Sequence, residues 1–217
     1  MTEQEWLCCA DHPREMDEFL YHRQTGRTGG LFGHMREQKW EVTPPRKWSL
    51  VACAYCRRFS GRTQWDELAP LVELAEQLDG RQEESGAGLT VSNTAYTIFY
   101  EVQQECMFGM YDNEVEANEL EETWYTVCRS WCDVLRDIFG NPFRPVSVNP
   151  TWLAWNRGAV VGIARTIYDD NAFDLLPILA DALKDADCDD EEILQHCRDG
   201  GPHVRGCWVV DSMLGRG

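Results

Sequence analysis

Residues 114–139 read EVEANELEETWYTVCRSWCDVLRDIF. Leu120, Trp124, Val127, Cys128, Trp131, Leu135 and Ile138 recur at threes and fours, the spacing of one apolar stripe on an α-helix. Gly140 supplies the stop and Pro142 bars continuation. Glu119, Glu121 and Glu122 fall between the apolar positions and form a solvated face. A helix of this length needs partners with matching stripes, and the flanking sequence provides them.

Working back, Ser92 or Asn93 predicts the cap of a helix carrying Ala95, Ile98, Phe99, Val102 and Cys106. Asp66 to Leu78 repeats the period through Leu68, Leu71, Val72, Ala75 and Leu78, with Pro70 placed in the first turn. Pro44 and Pro45 open a helix with Trp48, Val51, Ala52, Tyr55, Cys56 and Phe59. Residues 2–22 read as one or two short helices. Working forward, Val160, Ile163, Ala164 and Ile167 mark one helix, and Asp174 caps the next, which runs through Leu183. Asp189 and Glu192 resemble a capping box for a third. Pro202 suits the first turn of a last helix that Gly215 ends. Strand signals are scarce. The expected fold is all-α, a multi-helix globular bundle with long loops near residues 25–45 and 80–91. Three regions are expected, within one domain or several: an N-terminal helical region over 1–80, a long acidic helical hairpin over 92–140, and a C-terminal helical region over 151–217.

Composition excludes several classes. Apolar residues make up 43% of 217, enough for a sizeable core, yet no run reaches the roughly 18 needed to span a bilayer. The acidic start, Met1 to Glu5, predicts no secretory signal. With ten cysteines but no such signal, mostly free thiols in a reducing, cytoplasmic compartment are expected. The net charge is −17. Residues 1–62 hold ten Lys/Arg against eight Asp/Glu, whereas 63–217 hold ten against 29. Such a surface repels phosphate backbones and disfavours direct nucleic-acid binding. It attracts a basic protein partner.

Several segments resemble a family of uncharacterised bacterial proteins with many paralogous copies. They are the run from Asp137 to Pro145 (DIFGNPFRP), the run from Leu176 to Leu183 (LPILADAL) and the run from Gly201 to Asp211 (GPHVRGCWVVD). The start of the chain and Val51-Ala52-Cys53 are similar too. The resemblance covers residues 133–217 well and the first 80 more loosely, while 81–128 departs from it. It implies a common helical scaffold. The family has no assigned activity, so no catalytic residue carries over.

Among groups that carry chemistry, Cys188, Cys197, His203 and Cys207 stand at C-x8-C-x5-H-x3-C. This echoes a C-x8-C-x5-C-x3-H zinc finger with its last two ligands exchanged, and zinc favours four such donors. The competing reading places these thiols on apolar helix faces as small hydrophobes. Cys53 and Cys56, with Cys128 and Cys132, form a second candidate set of the same kind. The run from Asp185 to Asp189 opens like a calcium loop, but Asp190 and His196 stand where that loop needs Gly and Glu. Arg57 and Arg58 complement the C-terminal dipole of their helix, with pairing to the acidic helices of residues 101–122 as an equal alternative. Arg144 and Arg205 are expected to pair with Asp137 or Asp211. An alternative for Gly200, Gly201 and His203 is anion binding at the start of the last helix. No nucleophile elbow, phosphate loop or metalloprotease motif occurs.

The leading expectation is a noncatalytic helical protein–protein interaction module or accessory subunit, without a cofactor. It binds a basic partner through an acidic face formed by Glu114, Glu116, Glu119, Glu121 and Glu122. One alternative is a zinc-stabilised helical module built on Cys188, Cys197, His203 and Cys207. Another is an enzyme whose site is assembled from distant residues.

Overall fold

A computed structural model describes residues 1–9, 13–25, 46–62, 65–78, 90–95, 97–98, 100–101 and 114–216. Every regular element among the described residues is helical and none is a strand, so the protein is all-α. The expected loops over 25–45 and 80–91 lie outside the described residues except at their edges. There, Thr25 closes a helix and residues 90 and 91 already belong to one. The chain forms two compact units, Met1–Arg136 and Asp137–Gly217.

In the first unit, α1 (Glu3–Cys8) opens on a capping box in which Thr2 and Glu5 each accept the other's backbone N–H. Helix α2 spans Pro13–Thr25, α3 Arg46–Arg58 and α4 Trp65–Leu78. The apolar stripe expected of α3 understates its burial. Every residue from Trp48 to Cys56 is buried, so this helix is central and packed on all sides. Tyr55 meets Trp131 edge-on with centroids 4.3 Å apart. Arg57, at the end of α3, finds its partner on α4. It forms two 2.8 Å bonds to the buried Glu76 of α4, because the tight packing of α3 on α4 brings that carboxylate nearest. Pro70 falls in the second turn of α4 rather than the first. Ser92 caps nothing: the helix is under way by residue 90, and Ser92 is buried inside it.

Helix α5 spans Glu114–Phe139, the bounds its stripe predicts, and its last turn passes Asp137 into the second unit. Gly140 stops it at φ 66, where a left-handed residue ends the hydrogen-bond ladder. The second unit continues with α6 (Pro150–Ala154), α7 (Ala159–Asp170), α8 (Leu176–Asp185), α9 (Glu191–Arg198) and α10 (Trp208–Leu214). Helices α7, α8, α9 and α10 enclose one core containing Val160, Ile167, Leu179, Leu183, Leu194, Val209 and Met213.

Three expected helix starts shift in this unit. The cap of α9 is Asp190, whose carboxylate accepts from the backbones of Glu192 and Ile193 at 3.0 and 3.2 Å, not Asp189. Asp174 lies in a 3-10 turn, and α8 begins instead at Leu176 with Pro177 in its first turn. Residues 201–207 are not helical, so Pro202 opens no helix and the helix start expected at Gly200, Gly201 and His203 is not there; α10 starts only at Trp208. Arg205 donates to the carbonyl of Tyr168 at 2.8 Å and lies over the Tyr168 ring, 4.6 Å from its centroid.

Candidate functional site

The last turn of α5, the end of α9 and the 199–207 connection converge on one polar cluster. Asp137, His196, His203 and Cys207 each offer a ligand-type atom, and these atoms lie within 4.8 Å of one another. Asp137 is buried on α5, as are Val134 one turn before it and Ile138 beside it. His196 follows Ile193 by one turn and flanks the apolar stripe of α9. His203 and Cys207 arrive on the non-helical connection, which is free to fold back because no helical hydrogen bonds constrain it.

The hydrogen bonds fix the roles of each atom. Asp137 Oδ2 accepts the Val204 backbone N–H at 2.8 Å. Asp137 Oδ1 lies 2.7 Å from His203 Nδ1 and 3.2 Å from His196 Nε2. His203 Nε2 lies 3.0 Å from the Asp199 carbonyl, which only accepts, so this nitrogen carries a proton. On the other ring, the Trp208 indole N–H donates to His196 Nδ1 at 3.2 Å. An indole cannot accept, so the His196 proton sits on Nε2 and points toward Asp137 and Cys207 Sγ, 3.2 Å away.

Electrostatics follow from this geometry. Burial alone would raise the Asp137 carboxyl, but the hydrogen bonds from His196 and His203 outweigh it and hold the group below its ordinary range. Burial likewise opposes charge on His203, yet the bond to Asp137 and its negative charge prevail and raise the imidazole. Cys207 is fully buried, and burial followed by the nearby Asp137 charge pushes its thiol well up. A thiol so held is a poor nucleophile. One nitrogen of His196 faces both Cys207 and Asp137, so the three do not form the relay in which a base is oriented from its far side.

Of the four residues expected to hold zinc, the structure brings His203 and Cys207 into this cluster. Cys188 and Cys197 instead belong to the apolar core of the second unit, and among the described residues the ligand group omits them. Burial pushes Cys197 up to about 12. The other candidate set is also directed elsewhere: Cys53 Sγ faces the Val72 carbonyl at 3.9 Å and Cys56 Sγ the Val91 carbonyl at 3.6 Å. Cys132 Sγ stands 4.0 Å from Cys9.

Sequence reasoning treated Asp137 only as an arginine's partner and His196 only as an unfit calcium-loop residue. The available signal was a carboxylate on the buried side of α5 and a histidine bordering the stripe of α9.

On the surface of the second unit, the segment Asp181–Glu192 carries seven acidic residues against one lysine, Lys184. All seven are exposed or half-exposed. Its end borders an open cleft of about 840 Å³ between the run from Arg144 to the start of α6 and the start of α9. Of the expected acidic face on α5, Glu121 and Glu122 are exposed. The side chains of Glu114, Glu116 and Glu119 lie outside the described residues.

No family model, curated protein or solved structure matches the chain.

Proposed function

We propose that this protein is a noncatalytic helical interaction module whose acidic surface engages a basic protein partner. The observation that carries the reading is the acidic rim over Asp181–Glu192, set beside an open cleft in the second unit. Two of its groups have internal work: Asp190 caps α9, and Asp181 stands 3.8 Å from Arg198. Asp185, Asp187, Asp189 and Glu191 remain as an exposed field. Such a field accelerates encounter with a cationic surface and favours it over neutral competitors. Glu121 and Glu122 of α5 extend the same preference in the first unit. Nothing in this role asks the buried thiols to react.

The test compares capture from cells of the source organism by the parent and by a variant with D185N, D187N, D189N and E191Q. Mass spectrometry should find a basic partner held by the parent at low salt. That partner should be released as ionic strength rises and lost from the variant, while circular dichroism of the two proteins agrees. A partner retained equally by both across the salt range rejects the acidic rim as the interface.

A further inference from the structure

We propose that Asp137, His203 and Cys207 bind one zinc-type divalent metal ion, with His196 serving as a hydrogen-bond donor beside it rather than as a ligand. The donor set is one carboxylate oxygen, one imidazole nitrogen and one sulfur, a combination zinc accepts at about 2.0–2.3 Å from each. Tetrahedral bonds of that length place neighbouring donors roughly 3.3–3.8 Å apart. The 2.7 Å separation of Asp137 from His203 and the 4.8 Å limit on the whole cluster bracket that value, so only small side-chain shifts are needed.

Two ligands are already oriented. The Asp199 carbonyl holds a proton of His203 on Nε2 and turns Nδ1 inward, the outer support that metal-binding histidines use. The Val204 N–H holds Asp137 Oδ2 and leaves Oδ1 toward the centre. His196 is different. Its Nδ1 accepts from Trp208, so its Nε2 proton must stay, and that proton faces Cys207 Sγ and Asp137 Oδ1. It therefore stabilises the thiolate and carboxylate that the metal requires. Three protein ligands leave the fourth position to water.

Charge balances in both states. Without metal, the Asp137 carboxylate is matched by the doubly donating His203 imidazolium, and Cys207 keeps its proton. Metal entry expels the His203 Nδ1 proton and the Cys207 thiol proton, and the dication takes their place: M²⁺ plus the two-proton site gives the metal site plus two H⁺. The buried cluster has no net charge before or after, so occupancy adds no uncompensated charge to the core.

The experiment uses the full chain, freed of metal with a chelator and titrated with Co²⁺ and then Zn²⁺. One Co²⁺ per chain should produce a sulfur-to-cobalt charge-transfer band and intense visible bands, and Zn²⁺ should abolish them. X-ray absorption of the zinc form should show a single sulfur with nitrogen or oxygen donors. Cys207→Ser should remove the charge-transfer band, and His203→Ala should weaken binding at least 100-fold. His196→Gln should remain within about tenfold of the parent, less than the roughly 10–100-fold that losing an outer-shell partner costs, because the glutamine amide still donates. Absence of a saturable thiolate band in the parent overturns the proposal, as does a metal environment with two or more sulfurs. The spectroscopy of the parent decides the matter even if a variant fails to fold. A folded His196→Gln protein that binds as poorly as His203→Ala would overturn the assignment of His196 as a donor.

Discussion

The pairing of Asp137 with His203 ties stability to pH at both ends. Asp137 is held below its ordinary value of 3.8, so its contribution is complete above 3.8 and is lost as pH falls through the lower, folded value. His203 is raised above 6.5, so its contribution is complete below 6.5 and is lost as pH rises through the higher, folded value. The metal-free protein should therefore be most stable between 3.8 and 6.5 as far as this pair is concerned. Urea unfolding in the presence of a chelator, repeated across pH, measures it. Asp137→Asn should flatten both limbs, because it removes the shared partner. A parent whose midpoint keeps rising from pH 6 to 9 would contradict the assignment.

At the scale of elements, a glycine's effect depends on its setting, at a helix end or within a helix. Gly140 holds φ 66, and a Cβ there would meet the Trp208 ring carbons Cγ and Cδ2 at 3.0 Å. Gly162 lies inside α7 with nothing within 4 Å of a built Cβ. Gly140→Ala should destabilise by about 1–3 kcal/mol from backbone strain, before any cost of moving the indole. Gly162→Ala should stabilise by about 0.5–1 kcal/mol, since alanine loses less backbone freedom in a helix. Denaturant midpoints of the two variants, compared with the parent, check both signs. Trp208 also donates to His196, so strain at Gly140 should be felt in the metal affinity of the cluster as well.

Across the whole molecule, burial governs the thiols. Of the nine described cysteines all are free, seven are buried, Cys9 is intermediate and Cys8 is exposed. Burial pushes Cys56 up to about 12, so almost none of it is thiolate at pH 8. Alkylation of the native protein followed by peptide mapping should modify Cys8 first and Cys9 more slowly. Cys53, Cys56, Cys128, Cys132, Cys188, Cys197 and Cys207 should react only at the rate of unfolding. Fast labelling of Cys56 or Cys197 in the native state would contradict the packing of their helices. No helix among the described residues is long and apolar enough to cross a membrane.

The sequence by itself determined the helices, because helical periodicity and stop residues are local properties. The stripe from Leu120 to Ile138 marks the body of α5, and the glycine after Phe139 sets its end, without reference to anything else. The acidity of the chain needs only composition, but sequence reading placed the acidic face on α5 and not on the rim over Asp181–Glu192. Helix starts were less legible: Asp189 and Asp190 are chemically equivalent caps, and only backbone geometry chose the second. What the tertiary structure alone decided is the cluster. Sequence spacing gathered Cys188 and Cys197 with His203 and Cys207, because near neighbours in a chain are easily compared. Folding instead turned those two sulfurs into the core and brought in Asp137, 66 residues before His203, together with His196. Which side chain fills a polar gap depends on the angle at which a non-helical connection returns across a helix end. No local pattern encodes that angle, because it is fixed by the packing of elements far apart in the chain.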